Sequence, residues 1–109
     1  MIENSYKTSC GSIHYFVNII DKQKITLVFL PGLTADHRLF EKQIEYFEKR
    51  QNVFVWDAPS HALSRPFTNN YSLSDMAEWL DEILAKEEIY NPVIIGQSMG
   101  SKGIFLYHL

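Results

Sequence analysis

The chain has 109 residues, 46% of them hydrophobic and 21% charged, with a formal net charge of -3. That is the composition of one ordinary globular unit, long enough to bury a core, without the basic footprint that nucleic acid or an anionic membrane requires. Cys10 is the only cysteine, which excludes an internal disulfide and any zinc site built from several thiolates; it is expected to be a small residue in a strand.

The amino terminus, MIENSYKTSC, has neither the basic start nor the apolar core of a signal peptide. The longest apolar run, ITLVFLPGL, is too short to cross a bilayer and is broken by Pro31 and Gly32. The expectation is a cytoplasmic protein with no membrane partner. No repeat, linker or low-complexity tract divides the chain, so residues 1–109 read as part of one domain.

Residues 5–18 read as a hairpin that turns at Gly11-Ser12, with Ile13, Tyr15 and Val17 alternating in its second arm. Residues 25–30 are continuously apolar, as suits a strand buried on both faces. Residues 36–49 follow as a helix capped by Asp36 or Thr34, with Leu39, Phe40, Ile44 and Phe47 on its buried face. Residues 53–56 form a second apolar strand that runs into the loop DAPSHALSRPF. A second helix spans residues 73–86, started by Ser72 with Asp75 three positions on, and buries Met76, Leu80, Ile83 and Leu84. Residues 92–95 form a third strand, and a third helix is expected from Ser98 onward. Strand and helix alternation of this kind predicts an α/β fold: a mostly parallel sheet with an amino-terminal hairpin and flanking helices. Ligands of such sheets bind outside the carboxyl ends of the strands, which directs attention to residues 31–35, 57–66 and 96–100.

Gly96-Gln97-Ser98-Met99-Gly100 matches G-x-S-x-G between an apolar strand and an expected helix. A serine displayed at so tight a turn needs glycines at positions 96 and 100, where side chains would collide as strand and helix approach. Ser98 is therefore the candidate nucleophile, and the N–H of Met99 can face a developing oxyanion. Pro31-Gly32-Leu33 ends the first parallel strand, where Gly32 lets the N–H of Leu33 serve as a second oxyanion donor. Asp57 and His61 are residue types that do acid-base work, but Asp57 is read as a strand-end residue that satisfies backbone donors in its own turn, and His61 as a packing residue.

LVFLPGLTADHRLF, VWDAPSHALSRPF and VIIGQSMG, in that order and spacing, resemble the amino-terminal half of an α/β-hydrolase of the esterase and lipase-like group. The resemblance implies an oxyanion N–H at Leu33, a D-x-P-G-H-G-x-S loop at residues 57–64 and the elbow nucleophile at Ser98. Pro31 stands where many members have histidine, and Ser60 and Ala62 replace the two usual glycines of the third loop. After Gly100 the chain reads Ser101-Lys102-Gly103 and then Ile104-Phe105-Leu106, where the family carries small residues that seat a helix on the sheet.

The resemblance further implies a catalytic acid and histidine on later strands, beyond Leu109. The expectation is thus an α/β-hydrolase fold truncated after the nucleophile elbow, by a shortened gene product or a shifted frame. His14, His37, His61 and His108 are read as surface or packing residues. The implied activity is a serine hydrolase acting on a small acyl substrate such as a carboxylic ester, with no metal or other cofactor; the alternatives are an inactive fragment or binding module, and a non-hydrolytic enzyme of the same fold. With residues 92–95 left as an unpaired edge, the chain is expected to self-associate; a monomer mass by light scattering with a sharp thermal transition would contradict that.

Overall fold

The computed structural model describes residues 1–32, 35–60, 62–68, 70–97 and 104–108. Six strands form one sheet in the order β1-β2-β4-β3-β5-β6: β1 Ile2–Lys7, β2 Ser12–Asn18, β3 Thr26–Leu30, β4 Asn52–Trp56, β5 Pro92–Gln97 and β6 Ile104–His108. Parallel pairings of β3 with β4 and of β3 with β5 form the centre, as a mostly parallel sheet requires. Antiparallel pairings of β1 with β2, β2 with β4 and β5 with β6 flank it, so the sheet is mixed.

The hairpin closes as its sequence directs but turns earlier. Lys7 pairs with Ser12, and the Thr8 N–H donates to the Gly11 carbonyl at 2.8 Å. Cys10 therefore lies in the turn, not in a strand. Gly11 holds φ at +155°, and a Cβ there would sit 2.6 Å from the Phe67 ring, so both the backbone and the space demand glycine.

Two helices cover opposite faces. The buried residues of β4 alternate between them: Val53 and Val55 pack with Phe40 and Ile44, Phe54 and Trp56 with Ile83 and Leu84. Each side chain so buried contributes on the order of 2 kcal/mol, which is why continuous apolar runs sit at the centre of the sheet. Helix α2, Leu73–Lys86, starts at the capping box expected of it: Ser72 Oγ accepts from the Asp75 N–H and Asp75 accepts from the Ser72 N–H. Met76 and Leu80 are partly buried against the same cluster.

The other helix departs from its predicted form. His37–Phe40 is a 3-10 turn, and α1 proper spans Glu41–Phe47. Its cap is Asp36, as predicted, accepting from the Arg38 N–H at 2.8 Å. The tighter first turn rotates about 120° per residue, so Leu39 points outward and is 41% exposed while Phe40 is buried.

The largest correction concerns the end of the chain. Residues 98–103 lie outside those described, but residues 104–108, expected in a helix, form strand β6 against β5. The apolar strand β5 would otherwise leave a row of backbone donors and acceptors unpaired, and the branched and aromatic run Ile104-Phe105-Leu106-Tyr107 suits a strand that satisfies them. The free edge on that side consequently belongs to β6 and not to β5.

Candidate active site at the carboxyl edge of the sheet

The register brings the three candidate loops to one edge. Leu30 pairs with Gly96, and Phe29 pairs with Val55 on its other side. The chain leaving β3 at Pro31, β4 at Asp57 and β5 at Gln97 therefore departs at the same level, with neighbouring strands about 4.8 Å apart. Gly96 is buried in β5 between Leu30 and Phe105. Leu33, Ser98, Met99 and Gly100 lie outside the described residues, as does His61, so the structure fixes the strand ends from which these residues extend.

At the end of β4 stands a carboxylate taken wholly out of water. Asp57 is 0% exposed, and an ionised carboxylate can be buried only where it is hydrogen-bonded and paired. It accepts from the Leu63 N–H in its own loop at 3.2 Å, as the sequence predicts for an aspartate at a strand end. Its other oxygen accepts twice from His37, from the main-chain N–H at 2.8 Å and from ring Nδ1 at 2.8 Å. Since the carboxylate only accepts, Nδ1 carries the proton. Ser64 completes the junction: its buried hydroxyl donates to the Asp57 carbonyl at 2.6 Å and accepts from the His14 N–H at 2.8 Å.

His37 and Ser64 are the residues that sequence reasoning missed. Ser64, the serine that closes the D-x-P loop, could have been singled out by that motif position. His37 gives no local signal, because its partner lies 20 residues away and is met only through the parallel register.

The third loop keeps the backbone of the glycines it lacks. Ser60 and Ala62 adopt φ of 72° and 43°, the left-handed region that costs a residue with a Cβ roughly 1 kcal/mol. At the first loop, the Arg38 guanidinium forks onto Asp36 with its nearest contact at 2.6 Å. Those hydrogen bonds hold the Asp36 carboxyl down at about 2, against the partial desolvation that raises it.

Of the histidines described, His14 and His37 lie at β2, separated from β5 by β4 and β3. The His37 ring rests on Phe16 of β2, with centroids 4.6 Å apart, and β4 and β3 both intervene before β5. His14 is on β2 as well. His108 of β6 pairs with Val93 near the amino end of β5. Among the described residues, no group of three histidine, cysteine or acidic side chains could hold a metal ion, and no helix is long and apolar enough to cross a membrane.

The family model for the alpha/beta hydrolase fold matches residues 25–109, from the strand before the first loop through the G-x-S-x-G sequence and β6. The chain belongs to this family. No curated protein sequence matches it. Among solved structures, a hydrolase from Pseudomonas aeruginosa PA01 is similar at 21% identity with a TM-score of 0.76, over 88% of this chain and 36% of its own. An N-acyl homoserine lactone degrading enzyme is similar at 20% identity with a TM-score of 0.77, over 87% of this chain and 36% of its own. An enzyme that recognises and cleaves the ring of the Pseudomonas quinolone signal is similar at 17% identity with a TM-score of 0.75, over 85% and 35%. This α/β-hydrolase chain thus spans about a third of the length of these neighbours and corresponds to the amino-terminal part of the fold.

Proposed function

We propose that this chain carries the nucleophile half of a serine hydrolase acting on a carboxylic ester or a similar acyl substrate. The observation that carries the reading is the G-x-S-x-G sequence of residues 96–100 at the carboxyl end of β5, beside the loop that leaves β3. In such a site Ser98 Oγ attacks the acyl carbon and gives its proton to a histidine, which a carboxylate orients. The N–H groups of Leu33 and Met99 hold the oxyanion. The acyl–oxygen bond then breaks, the alcohol leaves with the histidine's proton, and water releases the acyl group from Ser98. In the family this chain resembles, the histidine and its carboxylate stand on later strands of the fold.

The test is covalent labelling of the protein, as its gene encodes it, by a fluorophosphonate probe. Labelling that disappears in Ser98→Ala supports the reading; labelling that persists in the variant refutes it. A second reading is non-hydrolytic chemistry on the same fold, since one fold hosts several chemistries and a structure similar to this chain is that of a ring-cleaving enzyme. Turnover of simple aryl esters supports the first reading; carbon–carbon bond cleavage without ester turnover supports the second. Protein that neither labels nor turns over esters would be a binding module that keeps only the floor of the pocket.

A further inference from the structure

We infer that the cavity between β2 and α1 is a binding site for a small phenol, whose hydroxyl donates to Nε2 of His37. The cavity has a volume of about 360 Å³, within the range of small-molecule sites. Its floor is Phe16 of β2 and Val55 of β4, which are partners across the antiparallel register, and Ile44 of α1 forms an apolar wall. His37, Arg38 and Glu41 supply its polar groups. The site is independent of the serine hydrolase reading, since β3 separates this floor from β5.

The hydrogen-bonding state of His37 selects the ligand. Its Nδ1 donates to the buried Asp57 carboxylate at 2.8 Å, which leaves Nε2 of the neutral ring as an acceptor. Among the described residues none is hydrogen-bonded to Nε2, and the side chain keeps 27% of its surface exposed. Nδ1 faces a carboxylate that is 0% exposed, and the ring rests on Phe16, so its open part is turned to the cavity it lines. An acceptor there requires a ligand that brings a proton. Carboxylates and phosphates bring none at neutral pH and meet the charges of Asp57 and Glu41, while the Arg38 guanidinium already forks onto Asp36. An ammonium would be stripped of water over Phe16, Ile44 and Val55. A phenol meets both demands. Its ring covers the apolar floor beside the Phe16 and His37 rings, and its hydroxyl extends a chain of hydrogen bonds through the imidazole to Asp57, in which each bond strengthens the next.

The test is titration of the protein, as its gene encodes it, with para-cresol and with the methyl ether of para-cresol, which has the same ring and no hydroxyl. The cresol should shift the methyl resonances of Ile44 and Val55 and the Nε2 resonance of His37, and bind about tenfold or more tightly than the ether. His37→Asn keeps a donor for Asp57 and has no acceptor at the position of Nε2. It should lower the affinity for cresol to that for the ether, with the ether's own affinity changed by less than about twofold. Equal affinities of the two compounds for the parent protein, shifts confined to residues outside the cavity, or undiminished cresol binding in His37→Asn would each overturn the proposal. Should the variant fail to fold, the two compounds compared on the parent protein still decide it. Labelling of Ser98 bears on the hydrolase reading alone, so the two can fail separately.

Discussion

Strand β4 begins at one buried polar residue and is followed directly by another, and the two ends are built differently. Asn52, 1% exposed, is a neutral amide whose Oδ1 accepts from the Ile20 and Asp21 N–H groups at 2.7 and 3.1 Å. Its Nδ2 donates to the carbonyls of Asp21 and Lys24 at 2.7 and 3.3 Å. Every bond goes to main chain of the single loop between β2 and β3. Asp57, five positions later, is a carboxylate that draws together the loops after β3 and β4 and, through Ser64, β2. A satisfied amide closes an end of the sheet; a buried charge joining several elements marks the end where geometry has to be held.

Removing either residue should separate these roles. Asp57→Ala strands two main-chain N–H groups and the His37 ring, and we expect a loss of about 3 kcal/mol in urea unfolding together with loss of fluorophosphonate reactivity. Asn52→Ala should cost about 2 kcal/mol by the same measurement, because its partners lie nearer solvent, and leave the labelling rate of the folded protein unchanged. A labelling defect in Asn52→Ala matching that of Asp57→Ala would erase the distinction.

Smaller changes sharpen it. Ala62→Gly at the carboxyl edge relieves a left-handed backbone, and we expect a gain of about 0.5–1 kcal/mol, read as a higher urea midpoint with an unchanged slope. Smallest is the effect of acid at Asp36, whose folded value of about 2 lies below the 3.8 of the free residue. The folded state thus holds fewer protons than the unfolded chain across that interval, so its contribution is complete above about pH 4 and is lost as pH falls through about 2. Asp36→Asn should flatten the stability profile in that window, and an unchanged profile would place the acid sensitivity elsewhere.

How much of this was legible in the sequence follows from the range of each interaction. Strands β3, β4 and β5 were legible because both of their faces are buried and their residues are continuously apolar. Helix α2 was legible from Ser72 and Asp75, whose capping bonds are local. The strand β6 was not, since the short apolar run Ile104-Phe105-Leu106-Tyr107 has the same pattern in a buried helix as in a strand, and the free edge of β5 decides the matter. The His37–Asp57 bond was hidden for the same reason: it exists only once β3 and β4 lie in register. Leu39 was misplaced because the first turn is 3-10 and does not keep the helical period.

The central claim is that the carboxyl edge of this sheet presents Ser98 as a nucleophile. Its most direct test is mass spectrometry of the protein after reaction with a fluorophosphonate. The account predicts a single adduct on the peptide containing Ser98 that is absent from Ser98→Ala. An adduct on another residue, or one that survives the substitution, would contradict it.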